Sequence, residues 1–104
     1  MPQFLYRIKP TRVAMLSDGP SASEQAAVEA HFAYLERLAT EGVVLVAGRT
    51  LNRDEHTFGI VVFAAATEAE AAAIVQADPA VERGVMTAAL FPFRVALLSK
   101  DWRG

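Results

Sequence analysis

The alternation of apolar and polar residues divides the chain into six elements. From Phe4 to Lys9, the side chains of Phe4, Tyr6 and Ile8 fall on one side and Leu5, Arg7 and Lys9 on the other. That period of two predicts a strand, which Pro10 ends. Residues 10–20 then make a connection that is long for a strand and a helix. Met15 and Leu16 inside it need a surface to lie on. Such a loop either packs on its own domain or lids a pocket, and plain packing is the favoured reading. Ser21 with Glu24 fits a capping box, and Val28, Phe32, Leu35, Leu38 and Ala39 recur at three- and four-residue spacing. A helix is predicted there, stopped by Gly42.

The chain shows no internal repeat. Val43–Ala47 is apolar on both faces, so this strand is expected to be covered on both. Residues 49–56 are charged and turn-prone and read as a hairpin loop leading into a strand over Phe58–Ala65. Thr67 with Glu70 repeats the capping box and opens an alanine-rich helix to about Ala77, ended by Asp78-Pro79. After a short turn closing at Gly84, Met86–Leu98 reads as a last strand with Phe91, Phe93, Val95 and Leu97 on one face. Pro92 cannot donate to a ladder, which confines that strand to a sheet edge or a bulge. Residues 99–104 are a polar tail except for Trp102, which either anchors on a partner or frays.

The order βαββαβ predicts an α+β, ferredoxin-like fold: a four-stranded antiparallel sheet with two helices on one face. Residues 1–98 form a single domain in this reading. Two helices leave the other face of the sheet bare, yet the middle two strands are apolar on both faces. A second copy of the same sheet is the simplest cover, so a homodimer packed face to face is expected.

Composition sharpens this picture at a few points. Apolar residues make up 53% of the 104, which argues against disorder and leaves a surplus for a subunit interface. A net charge of −2 gives no electrostatic footprint for nucleic acid or an anionic membrane. There is no cysteine, hence no thiol nucleophile or thiolate metal site. No apolar run is long enough to span a bilayer and the first residues lack a signal-peptide core, so a soluble cytoplasmic protein is expected.

His31 and Asp78 are the pair that could carry chemistry. His31 lies at the edge of the helix's apolar stripe, where an imidazole is held yet reachable. A carboxylate on one ring nitrogen fixes the tautomer and leaves the other nitrogen to act as base or acid. Each residue also has a plain structural reading: Asp-Pro is the start of a short helical turn, and a boundary histidine can bond to backbone or water. Arg49 and Arg94 could hold a carboxylate substrate, or be a solvated loop arginine and an edge-strand ion-pair partner. Tyr6 could line the pocket or belong to the core, and His56 reads as solvated. Neither histidine has metal-ligand spacing, and no phosphate loop or dinucleotide fingerprint is present, so no metal or cofactor is expected. RNA-recognition domains share the βαββαβ order. Here Phe58, Gly59, Val61 and Phe63 match their third-strand pattern, but Ile60 stands where an aromatic should and the charge balance is acidic.

Tyr6 and Ile8 near the start, His31 followed by Leu35, Leu38, Glu41-Gly42 and Ala47-Gly48, then Ala77-Asp78-Pro79 with Gly84-Val85, and a final Pro92-Phe93-Arg94-Val95 together resemble the YCII-related family. The resemblance runs from about Phe4 to Leu97. It implies a dimeric ferredoxin-like α+β barrel, related in shape to muconolactone-isomerase-like proteins, with His31 and Asp78 as the catalytic pair. The chain departs from the usual pattern at Arg49, where many relatives carry proline, and at Ala80, where an aromatic often follows Asp-Pro. The expected function is then a cofactor-independent isomerase or lyase acting on a small anionic molecule. Its rivals are a non-catalytic homodimer that binds a small ligand or a protein and, third, an RNA-binding domain.

Overall fold

The computed structural model describes residues 1–100. Strand β1 (Gln3–Pro10) leads through a single helical turn, α1 (Ala14–Ser17), into the long helix α2 (Ala22–Thr40). Strands β2 (Val44–Arg49) and β3 (Gly59–Ala64) form a hairpin. Helix α3 (Glu68–Gln76), the turn α4 (Pro79–Glu82) and strand β4 (Met86–Phe93) complete the chain. The sheet is antiparallel with order β2-β3-β1-β4. This is the ferredoxin-like α+β arrangement that the element order predicts.

Helix α2 begins where its sequence says it should. The Ser21 hydroxyl accepts from the Glu24 amide, and the Glu24 carboxylate accepts from the Ser21 amide, closing the capping box. At the other end Gly42 takes a φ of +80°, a conformation that costs other residues free energy and ends the helix. The second box is only half formed. Thr67 caps α3 through the Glu70 amide, but the Glu70 side chain reaches past it to the amide of Ala66.

Phe4, Tyr6 and Ile8 of β1 face the helices with Val61 and Phe63 of β3, against Leu38, Ala71 and Val75. Phe63 lies at the centre, its ring 5.9 Å from Phe4 and 5.7 Å edge-on from Tyr6. The opposite face carries Leu5, Ile60, Val62 and Phe91, placed together by register, with no helix over it.

Three expectations need correction. Residues 10–20 are not wholly irregular: they contain α1, whose Met15 is buried. Strand β2 is not covered on both faces, because it is an edge strand; only Val44 is buried, while Leu45 and Val46 are about half exposed beside a register shift. Strand β4 stops at Phe93 and not at Leu98, leaving Leu97 and Leu98 exposed. Pro92 does sit in an edge strand. Trp102 lies outside the described residues.

The loop before α2 is tied down electrostatically. Arg12 grips the Glu24 carboxylate through two nitrogens, at 2.9 and 2.6 Å. Those bonds, with the Ser21 amide, hold the Glu24 carboxyl down at about 2 against an ordinary 4.5. Since the folded value is the lower one, the stabilisation is present at neutral pH and is lost as pH falls from about 4.5 toward about 2. Glu24→Gln is expected to be less stable at pH 7 and to lose part of the pH dependence in that window, measured by urea unfolding. A variant whose acid profile matches wild type would contradict the assignment.

Candidate active site

The carboxylate of Asp78 is fully buried where three elements meet. It is the N-cap of α4, with Oδ1 accepting from the Ala80 amide at 3.0 Å, and Pro79 holds the first helical position. From β1 the Tyr6 hydroxyl donates to Oδ2 at 2.7 Å. From α2 the His31 Nδ1 lies 2.7 Å from Oδ2 and 2.8 Å from Oδ1. The same Asp78 side chain therefore caps a helical turn and contacts the imidazole of His31.

These contacts fix the protonation geometry. A hydroxyl and an amide leave the carboxylate as acceptor, so Nδ1 of His31 is the natural donor and carries the ring proton. Nε2 has no hydrogen-bond partner among the described residues. Burial, and then the charge and hydrogen bond of Asp78, push the Tyr6 hydroxyl well above its usual range, so it stays protonated as a donor. Burial first, and the same charge second, also raise Tyr34, whose hydroxyl donates to the Ile74 carbonyl at 2.8 Å. The His31 side chain keeps 12% of its surface, enough to be reached from one side.

That side is a groove of about 990 Å³ between α2 and the β2 edge of the sheet. Val28, His31, Phe32, Leu35 and Ala39 form one wall, and Val44–Arg49 form the other. Phe32 explains itself here: it sits on the apolar stripe of α2 yet is 66% exposed, because it faces the groove and not the core. Gly59 lies in the floor, where a Cβ would come within 3.0 Å of Ile8 and 3.2 Å of the Gly48 carbonyl. Met15 and Leu16 of α1 close one end, so the 10–20 connection both packs on its domain and borders the groove. Arg53 from the β2–β3 loop crosses to them, donating to the Leu16 carbonyl at 2.6 Å.

The other residues singled out from sequence are scattered. Arg49 lines the groove, is exposed, and makes no hydrogen bond or ion pair with any described residue. Arg94 lies beyond the far end of β4, beside Met1–Phe4, and does not reach His31. Tyr6 is fully buried and presents nothing to the groove; it meets Asp78 instead. His56 is on the surface beside Glu55. Sequence reasoning missed Arg53 as the link between two loops, and no local signal marks it. Tyr6 as the third partner of Asp78 was within reach, since it shares the helix-facing side of β1 with Phe4 and Ile8. Among the described residues no group of three or more His, Asp or Glu is placed to hold a metal ion. No helix among them is long and apolar enough to cross a membrane.

A family model described as YCII-related domain matches residues 5–94. Among solved structures the chain is similar to 5-chloro-2-hydroxyhydroquinone dehydrochlorinase (TftG) from Burkholderia phenoliruptrix AC1100, in complex with 2,5-dihydroxybenzoquinone. The two share 24% identity over 88% of this chain and 93% of that one, with a TM-score of 0.66. At that identity the likeness shows the fold. No curated protein matches the chain in sequence.

Tyr6→Phe removes one donor from a buried carboxylate and is expected to cost about 1.5–3 kcal/mol in urea unfolding. Asp78→Asn keeps an oxygen for the Ala80 amide but loses the charge facing His31. Nitrogen NMR of the imidazole is expected to show the proton on Nδ1 in wild type and a mixture of tautomers in Asp78→Asn. An unchanged spectrum would mean that Asp78 does not set the tautomer.

Proposed function

This chain belongs to the YCII-related family, and we propose that it is a cofactor-independent acid/base enzyme of the isomerase or lyase kind, acting on a small anionic molecule. The observation that carries this reading is the division of labour on His31: Nδ1 is held by a buried carboxylate while Nε2 is left unbonded on the wall of a groove. Nε2 takes a proton from carbon. Asp78 stabilises the imidazolium that forms, and Arg49 holds the anionic group of the substrate. The electron pair left on carbon then either accepts a proton at a neighbouring atom, an isomerisation, or expels a leaving group, an elimination. Tyr6 and the Ala80 amide act as positioning groups, because they touch Asp78 and not the groove. The structurally similar protein is a dehydrochlorinase by name, an activity of the eliminating kind.

The working form in this proposal is a homodimer. The sheet face opposite the helices carries Leu5, Ile60 and Phe91, partly exposed beside the buried Val62, in adjacent register positions, an apolar patch of the sort that marks an interface. The same residues disfavour RNA binding, since Leu5 and Ile60 stand on β1 and β3 where bases would need aromatic partners.

A non-catalytic binding module remains the second reading, and one observation favours it: capping α4 and bonding Tyr6 already give Asp78 a structural role. Substrate screening with His31→Gln and Asp78→Asn separates the two. Turnover is expected to fall at least about 100-fold in His31→Gln, in line with loss of a general base. Turnover equal to wild type in a folded variant would reject the enzyme reading. Sedimentation at micromolar concentration is expected to give a dimer for wild type and a folded monomer for Phe91→Asp. A monomeric wild type would reject the assembly.

A further inference from the structure

The shape of the groove says more about the substrate than its charge does. About 990 Å³ is at the top of the range for sites that hold drug-sized ligands, and far more than a small polar acid fills. The groove is also long. Val28 to Ala39 covers three turns of α2, about 16 Å, and the facing strand Val44–Arg49 spans about 16 Å as well. Its walls are apolar along most of that length, with Phe32 and Leu35 on the helix and Val44, Leu45 and Val46 on the strand.

The polar groups are not spread evenly along it. Helix α2 and strand β2 run in opposite directions from the tight turn at 41–43. Measured from Ala39, His31 stands about 12 Å along the helix. Measured from Val44, Arg49 stands about 16 Å along the strand. Both therefore lie in the half of the groove away from the turn, on opposite walls; Met15, Leu16 and Pro20 close the groove beyond them, and an apolar stretch also runs back toward the turn. Glu29 and Glu36 also border the groove from α2, and Gln25 bonds Glu29. Arg53 is committed to the Leu16 carbonyl, which leaves Arg49 as the cation on the wall without a partner among the described residues.

We infer that the substrate is an amphipathic carboxylate, with its acid group on Arg49, its apolar body laid along Phe32, Leu35 and Val44–Val46 toward the turn, and its reacting carbon next to the acid group. The last clause rests on the acid/base reading of His31; the binding mode does not. In an extended chain each bond advances about 1.25 Å, so a body of about a dozen bonds spans the groove. A short carboxylate would leave the apolar walls wet. A long alcohol would fill them and leave Arg49 unanswered.

Three inert probes test this by calorimetry and backbone NMR: butanoate, decanoate below its micelle concentration, and 1-decanol. Each methylene buried in the groove multiplies affinity about fourfold, so decanoate is expected to bind at least about 100-fold tighter than butanoate. Arg49→Gln, at an exposed position, is expected to weaken decanoate about tenfold or more and to leave 1-decanol unchanged. Amide shifts are expected along Val28–Ala39 and Val44–Arg49. Equal affinity for butanoate and decanoate overturns the proposal, as does indifference of decanoate to Arg49→Gln. Shifts confined to the bare sheet face around Phe91 overturn it too. Decanoate binding is read in Arg49→Gln and turnover in His31→Gln. Loss of turnover and loss of binding are thus read separately, and failure of the acid/base reading leaves this measurement intact.

Discussion

A carboxylate with no exposure has to be satisfied where it lies, and that requirement on Asp78 governs how the helices sit on the sheet. Its partners come from α2, β1 and α4, elements far apart in sequence. If any of the three shifts by an ångström, a charge-assisted hydrogen bond is lost in a place water does not reach, at a cost far above that of an exposed pair. The site is therefore rigid for the same reason that the fold is specific. Tyr6 makes the link explicit: its ring packs edge-on against Phe63 in the middle of the core, while its hydroxyl belongs to the site.

The local sequence prepares this meeting. Asp-Pro breaks α3 and starts α4 one residue later, so the carboxylate caps a new helix at the moment the chain turns toward α2. The capping bond fixes Oδ1 and the tyrosine fixes Oδ2, so the carboxylate is already oriented before histidine is considered. His31 then needs only the right helical phase. At the margin of the apolar stripe of α2 it has Asp78 on one side and the groove on the other, an outcome of the 3.6-residue repeat.

What could be read from sequence follows the same logic. Element order, the cap at Ser21, the stop at Gly42 and the edge placement of Pro92 all rest on local chemistry, which the sequence displays. The pairing of His31 with Asp78 could be suspected because each residue had its own signature. The misses are of another kind. Apolarity on both sides of β2 predicts burial, but an edge strand beside a groove has the same pattern as a covered one. Phe32 misled in the same way, since periodicity marks a face without saying what that face meets. The turn α1 is held by Arg12 on Glu24 and by Arg53 on Leu16, contacts that no short-range pattern encodes.

The apolar surplus of this small chain is divided by geometry into surfaces with different uses. On the sheet face opposite the helices it is flanked by Arg7 and Lys9 of β1, which suits another sheet surface. Between α2 and β2 it is concave, with an imidazole on one wall and a guanidinium on the other, which suits a molecule with a head and a tail. The two regions meet at β2, where Val46 shares its sheet face with Val62 yet also lines the groove. Any cover on the bare face therefore lies against one wall of the site. Assembly and binding draw on different residues elsewhere, but at this strand they are mechanically joined.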